Sequence, residues 1–99
     1  MTASSYAAVS IRRLDRAVES LSAFKSKYAH YARLVRVHGS AVSLVDVDSV
    51  VRDVIGLLRA GRYDMAYRRL SSIEPRVRMA TPDVMSAYSE AVAEIKALL

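Results

Sequence analysis

Residues 5–38, SYAAVSIRRLDRAVESLSAFKSKYAHYARLVRVH, decide how the chain is read. Ala7, Ile11, Leu14, Val18, Leu21, Tyr28, Ala32 and Val35 recur at alternating steps of four and three, with Lys25 the one polar member of the stripe. That spacing lays them along one face of an α-helix, where a strand would require strict alternation. No Gly or Pro interrupts the segment, and Gly39-Ser40 supplies a stop. The expectation is one helix over 4–38, roughly 50 Å long at the α-helical rise. A domain of 99 residues is narrower than that, so one end of the helix must be covered by a partner or project into solvent. The stripe persists for about four heptads, enough for a coiled-coil seam. It can pack on the chain's own helices, or it can pair with a second copy through Ile11, Leu14, Val18, Leu21 and Tyr28.

Outward from this helix, residues 39–46 form a connector. Its Val-rich stretch has no second strand to pair with, and a lone strand leaves backbone groups unsatisfied. Asp46 or Asp48 is placed to cap a helix over 47–60, with Val50, Val51, Val54, Ile55, Leu57 and Leu58 apolar. Gly61 ends it. Asp64 then caps a helix over 64–74 with core positions Met65, Ala66, Leu70 and Ile73, which Pro75 stops or kinks; Arg76 to Ala80 can add one further turn. Thr81-Pro82-Asp83 starts a last helix over 82–98, with a stripe of Val84 or Met85, Tyr88, Val92, Ile95 and Leu99. The fold class expected is an all-α single domain, a small four-helix bundle with a long basic first helix.

The turn Leu58-Arg59-Ala60-Gly61-Arg62-Tyr63-Asp64-Met65-Ala66 resembles the middle of a tetratricopeptide-type helical hairpin. In that hairpin a Gly, a Tyr two residues on and an Ala three beyond it let two antiparallel helices approach closely. The resemblance covers some fifteen residues, with no second copy at that period, and implies a tight hairpin and no function.

Composition narrows the function classes. There is no Cys, hence no disulfide, thiolate metal site or cysteine nucleophile. Asp46, Asp48, Arg52 and Asp53 break the most hydrophobic region, so no stretch approaches a membrane span. The N-terminus lacks a basic region followed by an apolar run, so a cytoplasmic protein is expected. Asn and Gln are also absent, and Arg outnumbers Lys twelve to three. Shedding thermolabile side chains points to a thermophilic microbe, an archaeon or its virus.

The net charge of +5 is unevenly placed. The first forty residues carry Arg12, Arg13, Arg16, Lys25, Lys27, Arg33 and Arg36 against Asp15 and Glu19, and a second basic run over 59–78 includes Arg68 and Arg69. Positive charge along a helix with Tyr28 and Tyr31 interleaved suits phosphate contacts plus stacking on bases; Arg68 and Arg69, next to Tyr63 and Tyr67, can extend that surface to DNA or RNA. The alternative is that these side chains are solvated or salt-bridged and the tyrosines fill the bundle edge.

Chemistry is sparse. His30 and His38 stand eight residues apart, whereas helical metal ligands stand three or four apart. Arg33-Leu-Val-Arg-Val-His38 has an Arg–His spacing similar to the motif of HEPN ribonucleases, small helical proteins in which an Arg and a His act on RNA; here a Leu follows the Arg where that family has a polar residue. No Gly-rich phosphate loop and no Ser-His-Asp ordering is present, so no cofactor, no metal and no enzyme activity is expected. A self-associating interaction or scaffold protein is the leading expectation, with nucleic-acid binding through the basic face of the first helix as the alternative.

Overall fold

Thr2–Val37 forms a single helix, α1, in the computed structural model of the chain. The structure describes residues 2–37 and 45–99; the side chains described are those of 11–35 and 47–99. Four more helices follow: α2 (Val45–Arg59), α3 (Tyr63–Ser71), α4 (Glu74–Arg78) and α5 (Pro82–Lys96). Among the described residues there is no strand. The chain is all-α, with five helices where four were expected.

The fifth comes from Pro75. The helix expected over 64–74 ends at Ser71, and Pro75 sits in the first turn of α4, where its missing N–H is not needed. Pro75 therefore starts a helix and does not merely stop one. Two caps also differ from expectation. Asp64 lies inside the first turn of α3, with Arg62 at the N-cap position, and Asp48 lies inside the first turn of α2. A carboxylate there favours the positive end of the helix dipole without capping it. Residues 39–44 of the expected connector lie outside the described residues.

The turn between α2 and α3 closes at Gly61. Gly61 takes φ 76°, a left-handed conformation open to glycine. The Arg62 N–H donates to the Leu57 carbonyl at 2.9 Å and the Gly61 N–H to the Leu58 carbonyl at 3.1 Å. Those two bonds are the Schellman pair that satisfies the last carbonyls of a helix.

The core is built from Ala17, Leu21, Phe24, Tyr28 and Ala32 of α1, Val47, Val50, Val51, Val54 and Leu58 of α2, Ala66 and Leu70 of α3, Val77 of α4 and Val84, Ala87, Tyr88, Ala91 and Ile95 of α5. The largest helix–helix contact is between α1 and α5. Alanines on both sides of it (Ala17, Ala87 and Ala91) are buried, and the Phe24 and Tyr88 rings fill the middle. α3 packs on α2 and α5, and α2 also packs on α1.

This core shifts the α1 stripe. Phe24 and Ala17 are fully buried while Lys25 and Ile11 are exposed. A strict heptad has a period of 3.5 and a straight helix 3.6, so a heptad stripe drifts by about 20° per repeat. The two stripes coincide at Leu21, Tyr28 and Ala32 and diverge towards the N-terminus.

Three contacts fix the relative levels of the helices. Phe24 meets Tyr88 with ring centroids 5.4 Å apart, the Tyr88 hydroxyl donates to the Leu70 carbonyl at 2.9 Å, and Arg69 pairs with Asp53 at 3.2 Å. Phe24, Tyr88, Leu70 and Asp53 therefore share a layer across α1, α5, α3 and α2. α5 and α2 run antiparallel to α1, and α3 antiparallel to both. Counting along each helix from that layer, Leu98 comes level with Leu14, and the Gly61 turn level with about residue 15 of α1. Thr2 to Arg13 continue past every other helix, an overhang of roughly 18 Å. The overhang explains the principal extents of 58 × 20 × 16 Å.

Candidate interaction surfaces

The interface expected on α1 splits in two. Leu21 and Tyr28 belong to the chain's own core and cannot meet a second copy without unfolding this one. Leu14 and Val18 are half-buried, Leu14 packing against the core edge. Ile11, on the overhang, is 59% exposed. At the same end of the molecule Leu99 is 66% exposed. Of the five residues expected at the interface, Ile11, Leu14 and Val18 thus remain accessible.

The basic residues of α1 do not form one face. Arg12, Arg13, Arg16, Lys25, Lys27 and Arg33 are all exposed. At about 100° per residue, Arg12, Arg13, Arg16 and Lys27 project to one flank of the helix, and Lys25 and Arg33 to the other. The Arg36 side chain lies outside the described residues. None of the other six makes an ion pair with a carboxylate among the described residues. Arg33 donates from Nε to the Ala29 carbonyl one turn back, at 3.4 Å.

The tyrosines expected to stack on bases are otherwise engaged. Tyr28 is buried, its ring 6.1 Å from Phe24 and 5.8 Å from Tyr31. Tyr31 is half-buried and donates its hydroxyl to the Met79 carbonyl at 3.3 Å. Tyr31 thus ties α1 to the end of α4, and Tyr28 fills the core. Tyr67 is half-buried with the Lys96 ammonium 5.6 Å from its ring centre.

Arg68 and Arg69 do not extend the α1 surface. α3 packs on α2 and α5, so these two arginines stand on the outer side of the α2–α3 hairpin. Arg69 is joined there to Asp53, and Arg78 to Glu74 at 3.3 Å one turn back. The exposed seam between α2 and α3 holds two adjoining depressions of about 370 and 320 Å³, with Arg69 and Ser72 lining both. Sequence reading missed this seam because Met65, expected in the core, is 43% exposed on its rim.

Asp83 and Tyr88 titrate away from their ordinary values. The Thr81 hydroxyl donates to the Asp83 carboxylate and, with backbone N–H groups and the nearby Lys27 charge, holds its pKa below the usual range. Burial, aided by the Glu74 charge, pushes Tyr88 up to about 12.

No metal centre forms among the described residues. No group of His, Asp and Glu there could hold a metal ion. Arg33 is exposed, and His38, its partner in the ribonuclease-like spacing, lies outside the described residues. No described helix is long and apolar enough to cross a membrane. No protein-family model matches the chain, and no curated protein or solved structure matches it.

Proposed function

We propose that the protein is a small helical interaction module that self-associates through the overhanging end of α1. The observation that carries this reading is Ile11, an isoleucine 59% exposed on a helix that outruns its own bundle. A projecting helix gains nothing from the core and, at about twelve residues, is marginal in water by itself. Pairing with a second copy would cover Ile11, Leu14 and Val18, and the repeat of that stripe at steps of three and four suits a helix–helix seam. The interface so proposed is narrower than the full stripe, because Leu21 and Tyr28 serve the chain's own core.

Sedimentation equilibrium over a range of concentrations tests the reading. A mass that rises above 10.9 kDa with concentration, and returns to it in Ile11→Glu, is the expected result. A wild-type protein that stays at monomer mass at the highest concentration overturns it. Ile11 is the discriminating position, since Leu14 also contacts the chain's own core.

A second reading, nucleic-acid binding, is supported by the six exposed α1 cations without carboxylate partners among the described residues. With Tyr28 and Tyr31 packed inward, such binding would rest on phosphate contacts with little base stacking, which favours duplex over single strands. Anisotropy titrations with labelled duplex and single-stranded DNA and RNA check it. Affinity that falls steeply with salt and with loss of Arg12, Arg13 and Arg16 is expected, and absence of binding at low salt removes it.

A further inference from the structure

We propose that the overhanging ends of α1 pair antiparallel about a two-fold axis, giving a closed dimer with its two bundles at opposite ends. This rests on the self-association proposed above and adds its direction and stoichiometry. The surface is complementary to itself in that direction. Ile11 is 59% exposed, and Leu14 and Val18, further along the same stripe, are half-buried. When Ile11 of one copy lies against Leu14 and Val18 of a second, the axis sets the second copy's Ile11 against Leu14 and Val18 of the first. One patch thus covers itself, and the pair leaves none of it exposed for a third chain.

Packing decides the direction. From Leu21 onward the stripe is covered: Leu21, Tyr28 and Ala32 are buried under the chain's own helices, with α2 and α5 packed on α1. In a parallel pair both bundles would start at the level of Leu14 and lie side by side. Helices in such a seam cross at about 20°, so two that touch at Leu14 are only about 12 Å farther apart at Val37. The narrowest extent of the molecule is 16 Å, so the two bundles would collide. In an antiparallel pair they start on opposite sides of the axis and run apart.

Charge decides the same way. Lys25 stands on the stripe and is exposed. A parallel pair would set it against Lys25 of the second copy. The antiparallel pair holds the two more than about 30 Å apart, several Debye lengths at physiological salt. Arg12, Arg13 and Arg16 stand about 100° or more around the helix from Ile11, and so outside the seam.

Two single-cysteine variants test the direction, since the chain has no cysteine of its own. Ser22 and Ser26 are exposed on α1, and Ser22→Cys or Ser26→Cys each carries a nitroxide for pulsed dipolar spectroscopy. Antiparallel pairing predicts label separations of about 25 and 38 Å, a lengthening of about 12 Å as the label moves one turn away from the axis. Sedimentation equilibrium of the same labelled proteins should level off at twice 10.9 kDa. Ile11→Glu should remove the dipolar signal and the mass increase together. Circular dichroism melting establishes that each variant is folded. Equal separations at the two sites, or a mass that climbs beyond the dimer, overturn the antiparallel pair and leave self-association standing. Monomer mass at every concentration removes the self-association itself, and this proposal with it.

Discussion

Phe24 of α1 meets Tyr88 of α5 edge-on, ring centroids 5.4 Å apart and planes at 61°. Around that pair α1, α3 and α5 lock together, because Tyr88 also donates its hydroxyl to the Leu70 carbonyl. Phe24 is fully buried, so truncation removes apolar surface and leaves a cavity in the layer that sets the register of the fold. Phe24→Ala is expected to cost about 3–5 kcal/mol of unfolding free energy in a denaturant titration. A loss under about 1 kcal/mol would mean that the layer is not central.

Tyr88→Phe separates the ring from its hydroxyl. At neutral pH the expected loss is about 1 kcal/mol, since the Leu70 carbonyl loses a buried donor. Burial pushes the folded pKa of Tyr88 up to about 12, above the ordinary tyrosine value of 10.0. Its contribution is therefore fully present below about pH 10 and lost as pH rises through the folded value. Wild-type stability should fall over that alkaline window, and Tyr88→Phe should fall less steeply. Identical slopes in urea titrations at a series of alkaline pH values would contradict the assignment.

Gly56 and Gly61 offer a paired comparison. A Cβ added at either meets nothing within 4 Å, yet Gly61 alone has φ 76°. Gly61→Ala strains the backbone of the Schellman turn and is expected to lose about 1–2 kcal/mol. Gly56→Ala lies in an exposed helix interior and is expected to gain about 0.5–1 kcal/mol. Thermal melts of the two variants should therefore shift in opposite directions.

Asp83 reports on the start of α5. Its carboxyl is held below the ordinary value chiefly by the Thr81 hydroxyl. The stabilisation is present above the ordinary carboxylate range and lost as pH falls through the depressed value. Thr81→Val should raise the Asp83 pKa towards the ordinary value, as followed by the side-chain carboxyl resonance in an NMR titration. An unmoved resonance would show that the hydroxyl is not the cause.

Much of this fold is written in local signals, and the exceptions have physical causes. The long α1 follows from a stripe without Gly or Pro, and the hairpin from Leu58 to Ala66 follows from Gly61 with its positive φ. The phase of the core was harder to read. Lys25 occupies a heptad position that a straight helix turns outward, while Phe24, one residue earlier, turns in. Alanines at 17, 87 and 91 are buried because two helices approach closely there, and alanine carries no strong preference by which sequence alone could place it. Pro75 reads equally as a stop or a start until the helix after it is seen. The basic residues were legible as charge but not as surface. Only the packing of α3 on α2 and α5 separates Arg68 and Arg69 from the arginines of α1 and draws the α2–α3 seam.

The 58 × 20 × 16 Å shape also bears on how the molecule turns in water. A rod tumbles slowly end over end and spins quickly about its length. Peptide N–H bonds lie along a helix axis, and α1, roughly 54 Å long, runs along the rod. Its amide nitrogens should relax as those of a larger protein would. Nitrogen relaxation ratios along the chain would thus register the direction of each helix through its hydrodynamics alone, and their increase on concentration would reveal a lengthening rod.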